Sequence, residues 1–383
     1  MAVKRVLFLD HISFLGGGQQ SLLTLMEGLR QSGGFEPRLL LAPGEFARAA
    51  RRSGYAVHTF GFNGIARSWN PLRWIVGVGL LASAVWTIVA IVREHDVRVV
   101  HANSLKTAVP CGLAARLAGR KAVFHARDFL AAGLLKGALV WSAYWLCHRV
   151  IVNSRAVAAI YGSDPAGKVS VVYNQVDCIA PLDTRRRHEL RAAAGVSRND
   201  HLMGFVGRLH PEKGIEVMLA ALALVRARRP EVRLWLIGAP MPGEEPYQGT
   251  LLDQARRLGV VEAVRFWGWR RDAVELMGCF DLCVVPSLNE PFGRVTVEAM
   301  LMGVPVVATA AGGTLEIIQD GREGLLVKPG DAAALACGCL TLIGDPILAE
   351  RLARHAKETA RTRFGKAQYV NGVLAVYDAL AGG

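Results

Sequence analysis

At 383 residues the chain is longer than one hydrophobic core usually serves, so two domains are expected. Its net charge of +13 is uneven: residues 1–180 hold 20 Lys+Arg against 9 Asp+Glu, a net +11, and residues 181–383 hold 25 against 23, a net +2. That field favours an anionic partner, but no zinc-ligand spacing, RNP-like aromatic run or basic helix supports specific nucleic-acid binding, and seven scattered Cys form no disulfide framework or zinc site. Buried thiols at Cys279, Cys283, Cys337 and Cys339 in a reducing cytoplasm are the expectation.

In chain order, short apolar runs alternate with longer helical patterns, as right-handed βαβ units and parallel sheets require. The first half predicts strands at 5–10, 37–42, 56–60, 98–102, 122–125, 150–153 and 169–172. The basic residues and short apolar run of Val3 to Asp10 lead into Gly16-Gly17-Gly18 without a cleavage pattern, so they read as the first strand. Trp74 to Val92 is charge-free between Arg73 and Arg93 and long enough to cross a bilayer, yet a crossing would split one sheet across the two sides. It therefore reads as a buried crossover helix or, with Arg67, Trp69, Trp74 and Trp86 around it, as an interfacial attachment helix.

Polar Asn174 to Asp200 separates the halves, and strands follow at 202–207, 232–238, 264–267, 282–286, 305–309 and 324–327. The expected division is a domain over 1–178, a linker over 179–199, a domain over 200–365 and a C-terminal helix, 366–383, returning to the first domain. Two doubly wound α/β domains facing each other would hold a ligand at their strand carboxyl edges.

Two motifs carry chemistry. Glu290-Pro291-Phe292-Gly293-Arg294-Val295-Thr296-Val297-Glu298 places two carboxylates about a strand-to-helix turn, Glu298 falling just over two helical turns beyond Glu290 on about the same face. The first helical N–H groups suit a diphosphate. Gly207-Arg208-Leu209-His210-Pro211-Glu212-Lys213-Gly214 adds two cations able to neutralise a phosphate leaving group.

With Gly16-Gly17-Gly18-Gln19-Gln20 and Ala311-Gly312-Gly313, these motifs resemble the fourth family of retaining GT-B glycosyltransferases, over essentially the whole chain and most densely from Gly204 to Pro329. The resemblance implies two Rossmann-like domains facing across a cleft and a hexosyltransferase-type activity with a nucleoside diphosphate sugar as donor. It makes Arg208 and Lys213 the diphosphate contacts, has Glu298 accept from the ribose, and has Glu290 hold hydroxyls of the transferred sugar. Phe292, Gly293, Arg294 and Val295 would meet the donor largely through backbone amides, the stretch Phe266 to Arg270 with Trp269 would line the base, and Gly17, Gly18 and Gly238 would also bind the donor. His125 matches the active-site histidine, with Asp128 as a possible orienting carboxylate, and Gly16, Asn103, Arg127 and Asp128 would border the acceptor. His101 is a weaker competitor for His125.

The sequence contains no Asp-x-Asp pair, so neither a metal nor another cofactor is expected and the two cations carry the neutralisation. Asn174-Gln175-Val176-Asp177 stands where relatives have Asn-Gly-Val-Asp, which puts the hinge turn in question. An oxidoreductase is excluded by the missing third glycine and the missing acid after the second strand. A sugar-nucleotide epimerase would share the fold, but the spacing of Glu290 and Glu298 together with Lys213 favours transfer. A catalytically silent membrane scaffold would keep the basic first half yet need no intact acidic pair. The expected partners are a nucleotide sugar, a glycan or lipid-linked acceptor and an anionic membrane, for a cytoplasmic protein peripheral on the inner face of the cell membrane and serving polysaccharide biosynthesis.

Overall fold

A computed structural model describes residues 4–61, 71–129, 134–177, 180, 182–241 and 243–381. Residues Met1–Gln175 with Lys366–Gly383 form one compact unit and Val176–Gly365 a second. All thirteen predicted strands form, each within two residues of its expected ends. The apolar runs are continuous because both faces of a parallel sheet are covered by helices.

The first unit holds a parallel sheet of β1 (Lys4–Asp10), β2 (Phe35–Leu41), β3 (Ala56–Thr59), β4 (Val97–Ala102), β5 (Lys121–Ala126), β6 (Arg149–Val152) and β7 (Val169–Val171). Its order is β3-β2-β1-β4-β5-β6-β7. Helices Pro71–Glu94, Leu105–Leu117 and Leu134–Leu146 cover one face, and helices Gly17–Gln31, Glu45–Arg52 and Lys366–Ala381 the other. The helix Lys366–Ala381 seats Val370 against Gly28, where an added Cβ would stand 2.3 Å from a valine methyl. A glycine there lets the two backbones approach.

The second sheet holds β8 (His201–Val206), β9 (Val232–Ile237), β10 (Val264–Gly268), β11 (Leu282–Val285), β12 (Val306–Thr309) and β13 (Leu325–Val327), in the order β10-β9-β8-β11-β12-β13. Each sheet has one point where strand order reverses, between β1 and β4 in the first and between β8 and β11 in the second. Successive crossovers leave in opposite directions there, which opens a crevice at the strand carboxyl ends.

Three expectations change. The linker over 179–199 is not free: Thr184–Ala193 is a helix capped by Asp183, and its Arg187 and Arg191 both bind Asp281, so charge pairing fastens the segment to the second unit. Cys337 is exposed, because it lies on the outer face of helix Ala332–Gly344, while Cys279, Cys283 and Cys339 are buried. The hinge raises no strain, since Asp96 and Asp164 are the only described non-glycine residues with positive φ and Gln175 is not among them.

The helix Pro71–Glu94 is long and apolar enough to span, with a mean hydropathy of 2.0 over Val76–Glu94. It serves instead as the crossover from β3 to β4, with Ile88 and Val92 fully buried. Arg67 and Trp69 lie outside the described residues, as do the side chains of Arg73 and Trp74.

Candidate active site

In the second unit, the loops after β8 and β11 meet because those strands are neighbours at the reversal point. Leu288 N donates to Glu212 O at 2.8 Å. Gly214 is left-handed at φ +65, and a Cβ there would lie 2.1 Å from Pro286 O, so a glycine is required for this approach. The contact delivers Lys213 Nζ to Glu290 Oε2 at 2.7 Å, and Ser287 Oγ donates to the same oxygen at 3.0 Å. Both side chains of the ion pair are largely but not fully covered, Lys213 at 24% and Glu290 at 12% exposure. On the far side Gly313 N donates to Glu290 O at 2.7 Å, which fixes the Ala311-Gly312-Gly313 segment against the motif.

The helix Arg294–Met302 begins behind Gly293, left-handed at φ +104, and no side chain caps it. The amino end of a helix carries the positive pole of its dipole, which suits an anion. Phe292 is buried against Phe364, and Val295 follows in the first turn of the helix. Glu298 lies 3.5 Å from Arg294 Nη2, and burial raises its pKa while Arg294 opposes the rise. Arg208 is exposed and has no ion pair among the described residues. Gly238 follows β9 and donates to Gly268 O at 2.8 Å, at the end of β10; Trp269 next to it is exposed while Trp267 stacks under Arg265 and Arg270.

In the first unit the corresponding edge is built around one guanidinium. Arg127 donates through Nε to Asn103 Oδ1 at 2.9 Å, through Nη1 to Asn174 Oδ1, and through Nη2 to Tyr369 Oη at 2.9 Å. Asn103 Nδ2 and Gln19 Nε2 donate in turn to buried Asp10, and Gly16 N donates to Gln19 Oε1 at 3.2 Å. The helix Gly17–Gln31 starts beside this network, and a Cβ on Gly18 would touch Arg127 Cδ at 3.4 Å.

His125 Nδ1 is 3.3 Å from Arg127 Nη2. A guanidinium only donates, so Nδ1 must accept, and the neutral ring then carries its proton on Nε2. Burial, then Arg127 and His101, hold His125 well below the usual histidine pKa. Its Nε2 is buried without a protein partner. Arg127 is thus the group set against His125 Nδ1, and Asp128, at a bend beyond the strand, is exposed. His101 is buried with Nδ1 2.7 Å from Tyr377 Oη.

Sequence reasoning missed Tyr369 and Tyr377, eight residues apart on the C-terminal helix. That spacing, a little over two turns, was the available signal.

A pH prediction follows from the two histidines. Burial, with Arg127 nearby, pushes His101 down to about 3 from 6.5, and His125 is lowered in the same sense. Below pH 6.5 the unfolded chain takes up protons that the folded chain refuses. Stability is therefore expected to fall on acidification from about pH 6.5, by up to about 1.4 kcal/mol per pH unit for each histidine. Urea midpoints between pH 4 and 8 measure this, and a level profile would remove the claim.

Two parallel α/β units, each with a polar constellation at its reversal point, define a two-domain nucleotide-binding enzyme class. Residues 200–345 match glycosyl transferases group 1, and residues 15–179 match glycosyltransferase family 4. The D-inositol 3-phosphate glycosyltransferase of Kribbella flavida is 31% identical, over 87% of this chain and 74% of that protein. The one from Nocardioides is 30% identical over 75% of this chain, which spans only 62% of that relative's length. The crystal structure of Anabaena HepE in complex with UDP and glucose superposes with a TM-score of 0.84 at 30% identity, covering 97% of this chain and 99% of that one. The chain belongs to glycosyltransferase family 4, the retaining enzymes of GT-B fold.

Proposed function

We propose that the chain transfers a sugar from a nucleoside diphosphate sugar to an acceptor hydroxyl with retention of configuration. The acceptor we assign is a lipid-linked or cell-envelope glycan at the inner face of the membrane. The observation that carries the transfer reading is the Lys213–Glu290 pair beside the uncapped helix at Gly293. A cation and a carboxylate beside the amino end of a helix suit a ligand that joins a diphosphate to a polyol.

On this reading Arg208, Lys213 and the amides of Gly293 to Val295 neutralise the leaving diphosphate. Charge-assisted contacts of this kind act most where charge develops. Glu298 accepts from the ribose. Glu290, with Oε2 already taken by Lys213 and Ser287, offers Oε1 to the sugar. His125 donates from Nε2 to a substrate oxygen, and its Arg127-fixed tautomer makes it a hydrogen-bond donor and not a base. Gly17 and Gly18 allow close approach of the donor, and Asn103 and Arg127 border the acceptor. HepE, a relative, was crystallised with UDP and glucose, so UDP-glucose heads the donors to test.

A panel of nucleoside diphosphates and their sugars, read by melting temperature and slow donor hydrolysis, tests the proposal. A cognate nucleotide at a hundred times its Kd stabilises by about 2.7 kcal/mol. No stabilisation by any nucleotide, or an epimerised donor as the sole product, would overturn it.

A further inference from the structure

We propose that the outer surface of the helix layer Pro71–Glu94, Leu105–Leu117 and Leu134–Leu146 seats the first unit on an anionic lipid bilayer, with its tryptophans at headgroup depth. The inference rests on the membrane reading above and gives it a face.

The inner sides of these helices are spent on the core, where Ile88, Val92, Ala108, Ala114, Ala143 and Tyr144 are fully buried or nearly so. Their outer sides are apolar as well. Of the sixteen large apolar residues that stand exposed among the described residues, eight lie on these three helices, so the exposure is clustered and not scattered. Trp86 is 62% exposed and Trp145 53%, and Trp141 stands one turn from Trp145 on the same stripe. On the long helix Val76 and Leu80 stand one turn apart, and Trp86 is exposed further along it. A water-facing helix surface is ordinarily polar, and this one is not.

Charge selects the occupant. Among the described side chains of the three helices, Arg93, Lys106 and Arg116 stand exposed against a single acid, Glu94. Two cations are fixed around Trp145. Arg116 donates to Leu146 O at 3.0 Å and to Trp145 O at 2.9 Å, and Lys168 Nζ lies 5.2 Å from the Trp145 ring while donating to Cys147 O at 3.1 Å. These partners are carbonyls at a helix end, so both cations are held in place; Arg116 has no ion pair among the described residues, while Asp164 acts on Lys168. Amphipathic rings beside fixed cations match an interface of anionic headgroups over acyl chains. The helices lie in the plane of that interface and do not cross it, because their inner sides belong to the sheet.

Flotation of the full chain with vesicles of phosphatidylcholine alone or with anionic phosphatidylglycerol tests the face. The parent is expected to float with the anionic vesicles, less with neutral ones, and to be released by high salt or alkaline carbonate. Trp86→Ser/Trp141→Ser/Trp145→Ser is expected to lose at least tenfold in vesicle affinity while hydrolysing donor in solution like the parent. Should the triple variant fail to fold, Val76→Ser/Trp86→Ser reads the same face. A folded variant that floats like the parent refutes this face and leaves the membrane reading standing, whereas a parent that floats with neither vesicle refutes the membrane reading itself. A parent dimer that the substitutions split into monomers by light scattering would show that a second copy occupies the face, and would also overturn the proposal.

Discussion

Lys213→Ala is expected to lower turnover by roughly 10²-fold or more, the scale for losing one preorganised contact to developing charge. The cation is held at the crossing of two loops, 2.7 Å from Glu290, by a backbone arrangement that Gly214 makes possible. Because Lys213 keeps part of its side chain in water and Leu288–Glu212 joins the loops through main chain, the variant should fold. Its affinity for nucleoside diphosphate should drop as well. The pairing adds a further expectation: Lys213→Ala and Glu290→Gln share one interaction, so their effects should not add, and the double variant should lie within about tenfold of the worse single one. Initial rates and calorimetric affinities measure all three. A folded Lys213→Ala enzyme with parental turnover would sink the assignment.

The two glutamates should fail differently. Glu290→Gln keeps the size of the side chain and removes its charge, so nucleoside diphosphate should bind about as before while the barrier rises by about 2 to 4 kcal/mol if the carboxylate acts in the transition state. Glu298→Ala removes an acceptor assigned to the ribose, which donor and free nucleotide share, so both should bind more weakly and the loss should sit mainly in ground-state affinity. The environments differ in the same sense. Glu290 is held by a cation and a hydroxyl, whereas Glu298 is pressed by burial toward its protonated form and only partly rescued by Arg294 at 3.5 Å. A Glu290→Gln enzyme that loses nucleotide affinity yet keeps its turnover would reverse the two roles.

Element type and order were legible in the sequence because they rest on short-range patterns. Continuous apolar runs at β1 to β13, the glycine ahead of Arg294 and the charge-free run from Trp74 to Val92 each record a local constraint. The carboxylate pair and the two cations were legible too, since each lies inside one strand-to-helix turn. What local pattern cannot hold is which turns meet. Lys213 and Glu290 are 77 residues apart and touch only because β8 and β11 are neighbours at the reversal point of their sheet. The direction of a side chain past a strand end was likewise undecided. Past the end of β5 the chain brings the Arg127 guanidinium back to His125 Nδ1, and that contact chooses the histidine's tautomer. Tyr369 reaches that guanidinium from the far end of the chain, by way of a helix that Gly28 allows to close on the first sheet. By itself the sequence determined the strands, the helices and the chemically active turns, because neighbours along the chain impose them. The tertiary structure alone decided partners, protonation and which apolar surfaces stay uncovered, because these depend on strand order and on contacts between residues far apart in the chain.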